Sequence, residues 1–323
     1  MRGIFQGLIA GVIALASFAS AAEFPARPIM MVVPYAVGGS TDMLARILAE
    51  AMTKKLGQQV IVDNTGGAGG TIGTARVVRS EPDGYTILLH NMGLVTAPAL
   101  YSKLPYDVSK DLEPVAAVGD VPMILVRNKN FAPATVTELI KFMKEKPNEV
   151  RFSHAGIGST SHLCAMLFNQ VANTASTMVP YRGTGPALLD LVAGNVDLIC
   201  DQPVATGAYI KNGNLKAIAM ATKTRISIMP DVPTFAESGL PGFELAVWHG
   251  IYAPKGTPPA VIERLNKAIQ LALSDPSVIQ RFTEMGVVIP QGDRLTSEAL
   301  RQRTDAELKR WDPIIKAAGA KAE

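Results

Sequence analysis

Three stretches place glycine and small hydroxyl residues just ahead of what reads as a helix. They are AVGGSTD (Ala36–Asp42), AGIGSTSH (Ala155–His162) and YRGTGP (Tyr181–Pro186). Glycine lets a backbone approach a ligand, and Ser and Thr hydroxyls add donors. The free N–H groups at a helix N-terminus, with the macrodipole behind them, hold anions such as carboxylates. Ordinary helix capping explains any one such turn equally well. Two or three of them on facing lobes point instead to capture of an acidic ligand. The candidate ligand residues are therefore Gly38, Gly39, Ser40 and Thr41 on the first turn and Ala155, Gly158, Ser159, Thr160 and His162 on the second. Tyr181 and Arg182 on the third, with Asn91 and Asp201, complete the set taken from the turns and strand ends. Arg182 is a possible bidentate carboxylate partner, although a surface or strand-end ion pair is the favoured reading of it.

Other chemistries fit less well. GGAGGTIG (Gly66–Gly73) departs from G-x-G-x-x-G because position 72 is Ile, and no Gly-Lys-Ser/Thr follows. A tight turn whose small residues permit close packing is the better reading. Gly158-Ser159-Thr160 lacks the second glycine of a nucleophile elbow. His154 and His162 flank a loop and do not show zinc-ligand spacing, and two cysteines cannot form a four-thiolate site. Asp63, Asp190 and Asp197 read as strand ends and solvated helix faces. No catalytic residue, metal site or cofactor is expected.

The elements that must position these turns alternate between strand and helix. PIMMVVP (Pro28–Pro34), QVIVD (Gln59–Asp63) and YTILLH (Tyr85–His90) are short apolar runs separated by helical spacing, with Leu44, Ile47, Leu48 and Met52 on one helix face. The alternation restarts with strands at Leu112–Val118, Met123–Val126, Val150–His154, Thr177–Tyr181, Val196–Cys200 and Leu215–Ala221. The expected fold class is α/β, with two doubly wound parallel-sheet lobes and a ligand cleft between them. Helices from Pro258 to Ala317 must cover one sheet. If they return to the first lobe, the chain crosses twice. Lobe 1 is then 23–123 plus 247–323 and lobe 2 is 124–246, with hinge crossings near Met123–Val126 and Ala246–Gly250.

The 323 residues are long enough for two such domains. With 48% hydrophobic and 18% charged residues the composition is globular. A net charge of +3, evenly spread, excludes a nucleic-acid binder. Residues 1–22 read as a secretory signal, with Arg2, an apolar run from Leu8 to Phe18, and Ala19, Ser20, Ala21 and Ala22 at the cleavage end. A membrane anchor is the less favoured alternative because the run is short against the ~20 residues a bilayer needs. No Cys follows to carry a lipid, so a free periplasmic protein is expected. Cys164 and Cys200 fit a disulfide formed after export or two buried thiols equally well.

The stretch PARPIMMVVPYAVGGSTDMLAR (Pro25–Arg46) resembles the opening motif of the solute receptors of tripartite tricarboxylate transporters, the Bug proteins. So do VIVDNTGGAGGTIGTARV (Val60–Val77), PDGYTILL (Pro82–Leu89), VPYRGTGPALLDLVAGNVDL (Val179–Leu198) and IYAPKGTPPAVIERLN (Ile251–Asn266). The resemblance implies a periplasmic binding protein fold that closes on a small carboxylate and hands it to a two-subunit membrane permease. Its ligand classes are di- and tricarboxylates, acidic amino acids and aromatic carboxylates. It also implies that the first turn, Tyr35 to Thr41, and the second, Ala155 to His162, hold the carboxylate. Tyr35 stands where many members carry Phe, and Trp248-His249 suggests an aromatic wall, with hinge packing as the alternative for Trp248. These two features tilt the expected ligand toward an aromatic or mixed carboxylate. The protein is expected to be a monomer. An exported ligand sensor for a two-component system, or less readily an exported enzyme acting on a small acid, are the competing functions.

Overall fold

The computed structural model describes residues 24–317, and the expected signal segment lies outside the described residues. The first sheet has the order β2-β1-β3-β10-β4, built from β1 (Ile29–Val33), β2 (Val60–Asn64), β3 (Thr86–Asn91), β4 (Leu112–Pro122) and β10 (Ala246–Pro254). The second has the order β7-β6-β8-β5-β9, built from β5 (Ile124–Asn128), β6 (Arg151–His154), β7 (Thr177–Pro180), β8 (Leu198–Asp201) and β9 (Leu215–Met220).

Four helices accompany the first pass through the first sheet: α1 (Ser40–Leu56), α2 (Thr71–Val78), α3 (Gly93–Leu100) and the short α4 (Val108–Asp111). The second sheet carries α5 (Val136–Glu145), α6 (Thr160–Ala172), α7 (Thr184–Ala193) and α8 (Pro203–Lys211). The chain ends with α9 (Pro259–Leu273), α10 (Pro276–Glu284) and α11 (Ser297–Ala317). α9 and α10 pack on α1, and α11 packs on α3 and β4, so the terminal helices return to the first sheet.

Local sequence explains the boundaries. Leu44, Ile47, Leu48 and Met52 form the buried stripe of α1, and Gly57 ends it in a left-handed conformation with φ of 72°. Thr135 caps α5, accepting from the Glu138 amide at 3.2 Å, and Asp275 caps α10 at the expected Asp-Pro break. Ile29, Met31 and Val33 pack with the apolar faces of α1 and α9. Val32 and Leu88, on the opposite face, join a second cluster that runs through Met123, Leu125 and Val247 into Phe152 and Phe168. The core is therefore continuous through the crossing strands.

The expected α/β class holds, but neither sheet is wholly parallel. In the first, β10 runs antiparallel to both β3 and β4; in the second, β5 runs antiparallel to both β8 and β9. Each reversed strand is the one that enters its sheet from the other. The parallel strands all finish at the facing edges. A chain arriving across that edge must run the opposite way. Beside the crossings, Met123, Ala221 and Leu245 form a closed backbone triangle: Met123 N–H donates to Leu245 O (3.1 Å), Leu245 N–H to Ala221 O (3.0 Å) and Ala221 N–H to Met123 O (2.8 Å).

Cys164 of α6 and Cys200 of β8 are joined by a disulfide, with Cα atoms 6.0 Å apart. Of the two alternatives left open by sequence, the bond is the one present.

Candidate carboxylate site between the two sheets

The first and second turns share their backbone conformation where they enter the helix. In each, a glycine with positive φ (Gly38 at 83°, Gly158 at 85°) precedes an extended N-cap residue (Gly39, Ser159) and then the helix. In each, a side chain four residues on clamps the glycine amide. Gly38 N–H donates to Asp42 Oδ2 at 2.9 Å, and Gly158 N–H to His162 Nδ1 at 3.3 Å. The caps differ. Ser159 Oγ accepts from the His162 amide at 3.2 Å, whereas Gly39 offers α1 no side-chain cap.

These two helix N-termini lie on one cavity. The first sheet contributes Tyr35, Gly39, Ser40, Thr41 and Asn91, and the second contributes Ala155, Ser159, Thr160, Thr184, Asp201 and Gln202. No Lys or Arg lines it. The cavity is about 10 Å³, about enough for one water, so the lobes are drawn together. Ala36 N–H donates to Arg182 O at 3.1 Å, Tyr101 OH to Ile157 O at 2.6 Å and Ser40 Oγ to Asp201 Oδ1 at 3.2 Å across the gap. Outside this seam lies a wider groove of about 600 Å³ lined in part by Ala68, Tyr101, Tyr181 and Arg182.

The glycine run 66–73 works as a packing surface, as its departure from nucleotide-binding spacing suggests. A Cβ on Gly66 would sit 2.8 Å from the Arg182 carbonyl oxygen, and one on Gly69 would overlap the Ile157 carbonyl oxygen. From the other side, a Cβ on Gly183 would sit 2.7 Å from the Ala36 nitrogen, and one on Gly185 would overlap the Val37 carbonyl oxygen. The two lobes meet backbone to backbone because both rims lack side chains there.

A hydrogen-bond chain backs the first-lobe half. Tyr35 OH donates toward Asn91 Oδ1 (3.3 Å) or Gly69 O (3.2 Å), and Asn91 Nδ2 donates to Thr41 Oγ1 (3.2 Å). Thr41 Oγ1 also lies 3.4 Å from His249 Nε2. Burial pushes the Tyr35 phenol far above its ordinary range, so it stays protonated. His249 is fully buried behind Thr41 and its pKa is pushed down to about 3 by that burial. His162 is lowered to about 4 for the same reason. Both rings are neutral at pH 7 and hold the turns rather than presenting charge. The Asp201 carboxylate is buried, which raises its pKa, while donors from Thr184, the Gln202 amide and Ser40 pull it back.

The structure does not bring all candidates together. Trp248 lies outside the cavity; it lines a separate pocket with Leu245 and Trp311, where Arg303 sits 5.2 Å above its ring. It makes hinge packing and no aromatic wall at the cavity, because alternate residues of β10 face opposite sides of the sheet. Tyr181 and Arg182 line the outer groove, and Tyr181 OH donates to Asp190 at 2.6 Å. Sequence reasoning passed over Thr184 and Gln202. Thr184 belongs to the third turn, already marked by its glycines, and donates to Asp201 Oδ2 at 2.6 Å. Gln202 directly follows Asp201 at the end of β8.

The model for the tripartite tricarboxylate transporter family receptor matches residues 44–320. The chain belongs to this family. Its receptors are periplasmic solute-binding proteins, and solved structures agree over nearly the full chain. The periplasmic binding protein BugD is 41% identical with a TM-score of 0.90, covering 93% of this chain and all of that one. MatC from Rhodopseudomonas palustris with bound malate is 38% identical with a TM-score of 0.88, covering 90% of this receptor and 100% of MatC. Rpa4515 from R. palustris with adipate is 32% identical with a TM-score of 0.88, covering 93% and 99%. Among the described residues of this receptor no helix is long and apolar enough to cross a membrane.

Proposed function

We propose that this receptor captures a small dicarboxylate in the periplasm and delivers it to a two-subunit membrane permease, acting as a monomer and without chemical turnover. The observation that carries this reading is the pair of matched turn-and-helix N-termini, one per sheet, opening on one cavity without a basic side chain. Such a site holds a carboxylate by neutral donors, and only when both halves are present. Malate and adipate, bound by two similar receptors, are both dicarboxylates, which supports that ligand class. Trp248 lies away from the cavity and leaves Tyr35 as its one aromatic lining residue, which moves the reading away from aromatic acids. The lobes divide as 23–123 plus 247–323 and 124–246, and the backbone triangle of Met123, Ala221 and Leu245 is the hinge on which they open. The Cys164–Cys200 disulfide supports an oxidising compartment.

Thermal-shift measurements against aliphatic dicarboxylates, tricarboxylates and aromatic acids test the reading. A rise in midpoint with at least one aliphatic dicarboxylate is expected, because the ligand binds only the folded state. No rise with any of them at millimolar concentration sinks it. Recovery of the acid unchanged after incubation with stoichiometric receptor tests the absence of turnover.

A further inference from the structure

The cavity has an acceptor side as well as a donor side. Asp201 accepts from Thr184 Oγ1 on Oδ2, and from Ser40 Oγ and the Gln202 backbone N–H on Oδ1 at 3.2 and 2.8 Å. A carboxylate has room for about four donors, so one position is open. Beside it, Gln202 Oε1 is buried and has no hydrogen-bond partner, although Gln202 is only 3% exposed and lines the same cavity. An acid that offered only oxygens would leave this acceptor unmatched and set like charge against Asp201, both costly out of water. A ligand that carries a proton donor removes both penalties at once.

We infer that Asp201 and Gln202 select, among small carboxylates, those bearing a further hydrogen-bond donor, a hydroxyl or ammonium group, on the carbon chain. The carboxylate lies against the helix N-termini of the two turns, and the donor faces the end of β8. The inference rests on the proposal that this cavity is the carboxylate site. It makes Asp201 a specificity residue whose charge opposes plain diacids and favours amino or hydroxy diacids.

Titration calorimetry with matched acids tests it: succinate, L-malate and L-aspartate, then glutarate, 2-hydroxyglutarate and L-glutamate. The parent is expected to bind at least one donor-bearing acid ten-fold or more tighter than its plain counterpart. Asp201→Asn should bind the plain diacid more tightly than the parent does and lose most of the preference. Gln202→Met, which leaves the Asp201 contacts in place, should reduce the preference in the same direction and keeps the test valid if Asp201→Asn does not fold. Equal affinity of the parent for plain and donor-bearing acids overturns the inference while leaving the carboxylate site standing. A preference unchanged in the folded variants does the same. Failure of all six acids to bind overturns the inference; if adipate and other longer diacids also give no thermal shift, the dicarboxylate reading falls with it.

Discussion

Ser159 and Thr160 stand side by side at one helix end but carry different burdens. Ser159 Oγ caps α6 and lies 3.1 Å from Ser161 Oγ, which in turn accepts from the Ala155 amide at 2.7 Å. Thr160 lines the cavity and has no such capping bond. Ser159→Ala is therefore expected to lower stability by about 1 kcal/mol, the ordinary worth of an N-cap, as well as weakening the ligand. Thr160→Ala is expected to weaken binding about ten- to a hundredfold, the loss of one bond to a charged group, with little change in stability. Urea denaturation and calorimetry on the two variants separate these outcomes; equal stability loss in both contradicts the division of roles. Small hydroxyls beside glycine are legible in a sequence because their types limit what they can do. Trp248 is not, since its face depends on the register of β10 against its neighbours, which strand pairing settles and spacing does not. Gln202 carries no signal of its own: a buried side-chain oxygen without a partner is visible only once its neighbours are placed.

At the scale of elements, the rims of the two lobes are glycine because they touch. Gly185 tests this cleanly. It lies in the first turn of α7 without positive φ, so alanine suits its own backbone. Its Cβ would nevertheless overlap the Val37 carbonyl oxygen of the other lobe. Gly185→Ala should keep the unliganded fold, judged by circular dichroism, and weaken ligand binding at least ten-fold by opposing closure. Parent-like affinity would mean that the seam need not close. The disulfide acts within one lobe. Cys164 and Cys200 are 36 positions apart, and releasing a loop of that length corresponds to about 4 kcal/mol of chain entropy. The Cys164→Ser, Cys200→Ser double variant should lose a large part of that in urea denaturation; an unchanged midpoint would show that the bond adds nothing. The order of strands and helices was readable from apolar runs and breakers, down to the Thr135 and Asp275 caps. The reversal of β5 and β10 was not, because apolar runs buried on both faces look alike in either direction. Direction follows from which edge the chain crosses, a property of the whole.

For the whole molecule, acid should be destabilising. All four histidines are buried neutral: His90, His154 and His249 have pKa values pushed down by burial to about 3, and His162 to about 4. The unfolded chain binds those protons near the ordinary imidazole value of 6.5. Stability contributed by the neutral rings is complete above that value and falls as the pH drops through the range between 6.5 and about 3. Asp201, with its raised pKa, works in the opposite sense, but it is one group against four. The urea midpoint at pH 4.5 should lie below that at pH 7.5, and a midpoint that rises instead would contradict the buried neutral state of the rings. Closure is the other property of this scale. Small-angle scattering should give a smaller radius of gyration with saturating dicarboxylate than without.

The most direct measurement is a crystal structure of the receptor with the dicarboxylate that binds it best. One carboxylate should lie within hydrogen-bond distance of the α1 N-terminus at Ser40–Thr41 and of the α6 N-terminus at Thr160, with the lobes closed over it and no Lys or Arg in contact. A carboxylate seated instead in the outer groove on Arg182, or held by one lobe alone, would contradict capture by two facing helix ends.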